Sequence, residues 1–204
     1  LLVVARTAEG PAQFLVPAGA PGVTVTPLRS LDFTRRYAEV CFDGAEVGAD
    51  AVVGEGADLA HLLDLAVALQ CAETVGVIDR VLSFTLEYAF DRHTFGRALA
   101  SYQALKHRFA DMKTWLESCH ATAAGAADAV QAGSPDAARL VSVAAAYIGE
   151  RSTAIIQDCV QLHGGIGVTW EHDIHLYLRR ATVNRATYGT PHDHRARVAA
   201  LLAA

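Results

Sequence analysis

The chain has 204 residues, of which 52% are hydrophobic and 19% charged, and a formal net charge of −5. That composition can bury a sizeable core and is unlike that of a disordered segment. The acidic balance and the absence of a basic tract speak against nucleic acid as the main partner. No uninterrupted apolar run approaches the roughly 18 residues of a membrane span, so no membrane partner is expected.

Residues 1–54 read as strands and turns. Leu1-Leu2-Val3-Val4-Ala5 is an apolar run of the kind found inside a sheet, which suggests part of a longer protein. Strands are expected at residues 1–6, 13–16, 23–28 and 37–42, with turns at Asp43-Gly44 and Gly48-Ala49-Asp50. These are too few strands for a closed barrel. From about Ala57 the period becomes helical: Leu59, Leu62, Leu63, Ala66, Val67, Val75, Ile78 and Leu82 follow i, i+3, i+4 steps to about Phe90. A second helix is expected from about Tyr102 to Gln131. A third opens with Ser134 as its cap and Pro135 in its first turn, and ends near His163 at Gly164-Gly165. A fourth covers residues 171–186, and Pro191 begins a last short helix to Leu202. The expected fold is α+β: a partial antiparallel β-domain over residues 1–54, then an antiparallel four-helix-bundle domain over residues 55–204.

Four cysteines, Cys41, Cys71, Cys119 and Cys159, are widely spaced and read as reduced core thiols of a cytoplasmic protein. The pairs His172/His175 and His192/His194 come with no paired carboxylate–x–x–His motif of the di-iron bundle type and no cysteine at zinc spacing, so no metal is expected. Ser142 and Ser152 lack the sequence context of an activated nucleophile.

Two segments carry the chemistry. Arg92-His93-Thr94-Phe95-Gly96, followed by Gln103, combines a cation with a donor fork suited to phosphate, a hydroxyl, an aromatic wall and a glycine for close approach. Gln161-Leu162-His163-Gly164-Gly165-Ile166-Gly167 combines a side-chain amide with backbone presented beside a helix end. Each residue taken singly has a plain structural explanation, as a dipole partner, a cap or a helix stop. In combination they are the parts of a dinucleotide pyrophosphate site.

These segments carry a resemblance. Residues 91–99 with Gln103 and Ala110-Asp111-Met112 resemble one signature of the acyl-CoA dehydrogenase family, and Gln161–Gly167 with Arg179 and Gly189-Thr190 resembles another. The likeness covers nearly the whole chain, as the end of the family's middle β-domain and its C-terminal helical domain. It implies α,β-dehydrogenation of an acyl-CoA thioester: a glutamate removes the α-proton and FAD takes the β-hydrogen as hydride. It also implies that Arg92, Thr94, Phe95, Gln103, Gln161, Gly164, Gly165 and Thr190 contact FAD held mainly by a neighbouring subunit. The assembly would then be a dimer of dimers that passes electrons to an electron-transferring flavoprotein.

The base is missing. In the family's commonest branch the glutamate directly precedes a Gly-Thr pair, and here that position is Tyr188. A phenol with an ordinary pKa near 10 is a poor base at neutral pH. In a second branch it sits on the first long helix, where this chain has Ala66 and Val67. The nearest acids there are Asp64 and Glu73, and a two-residue offset turns Asp64 by about 200°. Three readings stay open. The chain resembles the non-catalytic subunit of α2β2 enzymes, notably actinobacterial ones acting on steroid side-chain CoA esters. It can also be a homomeric dehydrogenase with a displaced base such as Asp64, or a flavin-binding or structural relative without activity.

Overall fold

The computed structural model describes residues 1–203, and for residues 55–58 the backbone alone. The chain divides into two compact units, Leu1–Leu63 and Asp64–Ala204.

In the first unit, β1 (Leu2–Arg6) and β2 (Pro11–Leu15) form an antiparallel hairpin with Leu2 opposite Leu15 and Arg6 opposite Pro11. Its turn is closed by Thr7 N–H donating to the Gly10 carbonyl at 2.7 Å. A separate antiparallel pair joins β3 (Val23–Leu28) to β4 (Tyr37–Phe42). Gly22 opens β3 at φ +79°, and a β-carbon there would stand 2.4 Å from the Asp43 carbonyl oxygen, so only glycine fits. β5 (Val52–Glu55), which strand patterning did not single out, adds to β2 across an irregularity at Gln13/Phe14. Among the described residues of this unit only Gln13, Val16 and Asp32 are buried. Cys41 is exposed, which corrects its expected place in a core.

The second unit, which takes in the first long helix from Asp64 onward, is a helical bundle. α1 (Gly56–Asp91) runs into a short hairpin of β6 (His93–Thr94) and β7 (Arg97–Ala98). α2 (Gln103–Gln131), α3 (Ala137–His163), α4 (Ile174–Thr187) and α5 (Pro191–Ala203) follow. Periodicity alone explains the core. Val67, Cys71, Val75, Ile78 and Leu82 form the inward stripe of α1, and Met112, Leu116, Cys119, Ala123 and Ala126 that of α2. Both meet Ile148, Ile155 and Cys159 of the central helix α3, where the Cys159 and Met112 sulfurs lie 3.9 Å apart. Burial pushes the thiols of Cys71, Cys119 and Cys159 up to about 12, so they stay protonated. α5 approaches α3 over Gly149, where a β-carbon would meet the Pro191 ring at 3.1 Å.

Three local expectations change. α3 starts at Ala137 because Ser134 first closes a turn, its hydroxyl accepting from Asp136 N–H at 3.2 Å and its carbonyl from Ala137 N–H at 3.0 Å. α4 starts at Ile174 rather than residue 171 because Gly164–Val168 coils as a 3₁₀ turn and His172 Nδ1 accepts Ile174 N–H. Asp64, Glu73, Asp79 and Arg80 break any uninterrupted apolar run in α1. Averaged over 18 residues, however, the stretch Leu59–Asp91 reaches a mean hydropathy of 1.4, enough by length and composition for a membrane span. Its inward stripe is committed to the bundle core.

Candidate functional site

The first motif is built where α1 ends. Arg92 N–H makes the last helical bond, to the Tyr88 carbonyl at 2.8 Å, and the Arg92 carbonyl then accepts Leu99 N–H at 2.7 Å. Between them the chain reverses through Phe95 at φ +50° and Gly96 at φ +79°. Two successive positive φ angles are what a two-residue hairpin turn requires, and the sequence reading had no hairpin here. Glycine takes that conformation freely, whereas phenylalanine pays about 1–2 kcal/mol for it. The hairpin is braced from behind: Tyr102 Oη donates to the Thr94 carbonyl at 2.6 Å, and the Arg97 guanidinium lies 3.8 Å from the Tyr102 ring centre. The result is an aromatic side chain in strained backbone, 94% exposed. Arg92 is exposed beside it, and Gln103 begins α2 with its amide nitrogen 3.1 Å from His107 Nε2.

The second motif ends α3. Gln161 is exposed, Gly164 turns the chain at φ +65°, and a β-carbon on Gly164 or Gly165 would meet nothing within 4 Å. Gly167 differs: a β-carbon there would stand 2.6 Å from the Val160 carbonyl oxygen, so its glycine serves packing.

Tyr88 and His163 join the two motifs, and neither was singled out as a site residue. The rings stack with centres 4.5 Å apart, and Tyr88 Oη donates to the His163 carbonyl at 3.3 Å. Arg92 lies one helical turn beyond Tyr88, and Gly164 directly follows His163. His163 is buried, with Phe84 and His172 against it at 5.7 and 4.4 Å. Its Nδ1 lies 2.9 Å from the Cys159 carbonyl, which can only accept, so Nδ1 carries the proton. Burial holds its pKa below the ordinary histidine value; the Cys159 bond opposes this and His172 adds to it. The position of Tyr88, one turn before an expected phosphate ligand, was the available signal.

Tyr188 is 43% exposed at the end of α4, before Gly189 at φ +112°. Thr190 closes the turn as a cap for α5: its N–H and hydroxyl donate to Asp193 Oδ2 at 2.8 and 2.7 Å, and these bonds hold the Asp193 carboxyl below its usual range. The Tyr88–His163 contact brings the end of α1, which leads into Arg92, against the end of α3 at Gly164, while Thr190 is held within its own turn by Asp193. Asp64 is buried and accepts Arg197 Nη1 at 2.6 Å, while the same nitrogen donates to Ser142 Oγ at 3.3 Å. Glu73 accepts Arg180 Nε at 2.5 Å and Asn184 Nδ2 at 3.3 Å. Both acids near the second base position are therefore in ion pairs.

A helical bundle with this pair of motifs defines a class, and comparison with known families agrees: residues 57–203 match the acyl-CoA dehydrogenase C-terminal domain. The chain belongs to the acyl-CoA dehydrogenase family. It is 37% identical over 177 residues to acyl-CoA dehydrogenase IpdE2 of Mycolicibacterium smegmatis, across 87% of this chain and 52% of that protein. Among solved structures it is similar to the ChsE4-ChsE5 complex from Mycobacterium tuberculosis, with a TM-score of 0.90, 33% identity, and 99% of this chain against 55% of that one. It is also similar to the Tcur3481-Tcur3483 steroid ACAD G363A variant, with a TM-score of 0.88, 29% identity, and 100% of this chain against 55% of that one. The chain thus spans about half the length of these relatives. Members of the family bind FAD. The residues here fit that group: an exposed guanidinium at Arg92, an exposed ring at Phe95, and two glycines with open space above them.

Proposed function

We propose that this chain completes the FAD site of an acyl-CoA dehydrogenase at a subunit interface and leaves proton abstraction to a paralogous partner. Arg92 would bind the pyrophosphate, with Thr94, Gln103 and Gln161 donating hydrogen bonds around it. Phe95 would wall the dinucleotide, and Gly164 and Gly165 would let it approach the backbone. Thr190 is kept in the same site as a secondary contact, its hydroxyl shared with Asp193. When bound, the flavin supplies the hydride acceptor. The Tyr88–His163 stack sets the spacing of the two motifs, and the braced hairpin holds Phe95 in place without reorganisation.

One observation carries the division of labour. The residue before Gly189-Thr190 is a tyrosine, and the nearest acids on α1 are engaged, Asp64 by Arg197 and Glu73 by Arg180. One oxygen of each carboxylate is held by a guanidinium, a contact that proton abstraction from a substrate would have to share or break. Similarity to one chain of the ChsE4-ChsE5 complex supports a heteromer of the α2β2 kind. The substrate class is an acyl-CoA thioester, and likeness to a steroid ACAD favours a steroid side chain over a simple fatty acyl chain. The buried, protonated thiols of Cys71, Cys119 and Cys159 favour a cytoplasmic enzyme, and the family resemblance favours an electron-transferring flavoprotein as its electron acceptor.

The test is co-production. The full-length protein alone should hold little FAD and show no dehydrogenation, and a paralogue with glutamate before its Gly-Thr pair should restore both. Robust turnover by the single chain would return the homomeric reading. A colourless assembly with every paralogue present would favour a structural relative.

A further inference from the structure

Beneath the Tyr188–Gly189 turn, α1, α3, α4 and the start of α5 leave a small niche lined by Gln70, Thr74, Ile148, Asn184, Gly189 and His194 among others. It has room of about 20 Å³ for water-sized occupants, and one water needs about 10–15 Å³ by that measure. Two polar atoms of these lining residues are buried without a partner among the described residues: Gln70 Nε2, a donor, and Asn184 Oδ1, an acceptor.

The orientation of Asn184 is fixed by chemistry. Its Nδ2 contacts Glu73 Oε1 at 3.3 Å and Thr74 Oγ1 at 3.0 Å. The Thr74 hydroxyl already donates its proton to the Gln70 carbonyl at 2.8 Å, so its oxygen can only accept, and an ionised carboxylate likewise only accepts. The amide nitrogen must face those two groups, which leaves Oδ1 as the unused acceptor. Gln70 presents the complementary donor from α1.

We propose that this niche is a built site for one water molecule, which accepts from Gln70 Nε2–H, donates to Asn184 Oδ1, and so ties α1 to α4 under the Tyr188 turn. A cation would meet the Gln70 amino group and the Arg185 side chain that also lines the niche. An anion would face the Asn184 oxygen. Water alone among species of this size satisfies a donor and an acceptor together. His194 stands against the same niche, its Nε2 3.2 Å from where a β-carbon of Gly189 would be. The water and this ring together would then fix the turn at which the family's glutamate stands. The inference does not depend on the functional reading above.

Three measurements on the full-length protein test it. A crystal structure that resolves solvent should show a density peak about 2.7–3.2 Å from both Gln70 Nε2 and Asn184 Oδ1. Gln70→Met keeps the volume and removes the donor, so a bridged water loses a partner. The variant's Tm should fall by about 2–6 °C, and amide exchange at Gly189 and Thr190 should quicken. In a dry niche the same change removes an unpaired N–H and leaves the protein as stable or more so. An empty niche in the density, or a Gln70→Met variant at least as stable as the parent, overturns the proposal.

Discussion

Asp64→Asn separates a structural carboxylate from a catalytic one. The side chain is 9% exposed and its Oδ1 accepts Arg197 Nη1 at 2.6 Å, while the Arg197 side chain is 31% exposed. A hydrogen bond between charged partners contributes about 1.5–3 kcal/mol. Solvent reaches the guanidinium, so part of that is recovered in the variant, and a loss of about 1–2 kcal/mol is expected. For a chain of this length that corresponds to a Tm lower by roughly 2–8 °C. Arg197 keeps its contact with Ser142, so α5 stays docked on α3. Denaturant unfolding of parent, Asp64→Asn, Arg197→Met and the double variant gives the coupling directly, expected above about 0.5 kcal/mol. Dehydrogenation by the assembled enzyme should stay within a few-fold of the parent. Unchanged stability with abolished turnover would refute the reasoning and make Asp64 the displaced base.

Gly165 and Gly167, two residues apart, should part company on substitution. Gly167→Ala drives a β-carbon to 2.6 Å from the Val160 carbonyl oxygen and should destabilise by about 1–3 kcal/mol in thermal unfolding. Gly165→Ala meets open space, so stability should hold within about 0.5 kcal/mol. FAD affinity of the assembled protein should nevertheless fall, as it should for Arg92→Ala, and unchanged affinity in both variants would remove the flavin from this face. His163 has a pKa lowered mainly by burial, so the folded state favours its neutral form. Its contribution is complete above the unfolded value near 6.5 and is lost as pH falls below that toward the lowered folded value. The stability difference between pH 7.5 and pH 5 should therefore shrink in His163→Asn, although His194, also lowered by burial, retains its share. Equal pH slopes in parent and variant would show that His163 does not titrate with folding.

The helices were legible because their information is local. The apolar stripe of α1, the stop at Gly164 and the start of α5 at Pro191 each depend on a few neighbouring residues. The hairpin at Phe95 was not, because phenylalanine disfavours positive φ and the reversal is held by Tyr102, whose hydroxyl reaches back to Thr94. β5 was missed because a short strand is stabilised by the partner it adds to. The site residues Arg92, Gln161 and Gly164 were legible as motif members, whereas Tyr88 and His163 have their meaning only as a pair.

By itself the sequence determined the strand-rich first part, the helical remainder, the family and the tyrosine before Gly189, since periodicity, turn chemistry and residue identity are all written along the chain. Only the tertiary structure decided that Asp64 pairs with Arg197, that Glu73 pairs with Arg180, and that Tyr88 stacks on His163. These partners lie on different helices. No local pattern specifies which side chains meet until the apolar faces pack and fix the rotation of each helix against the next.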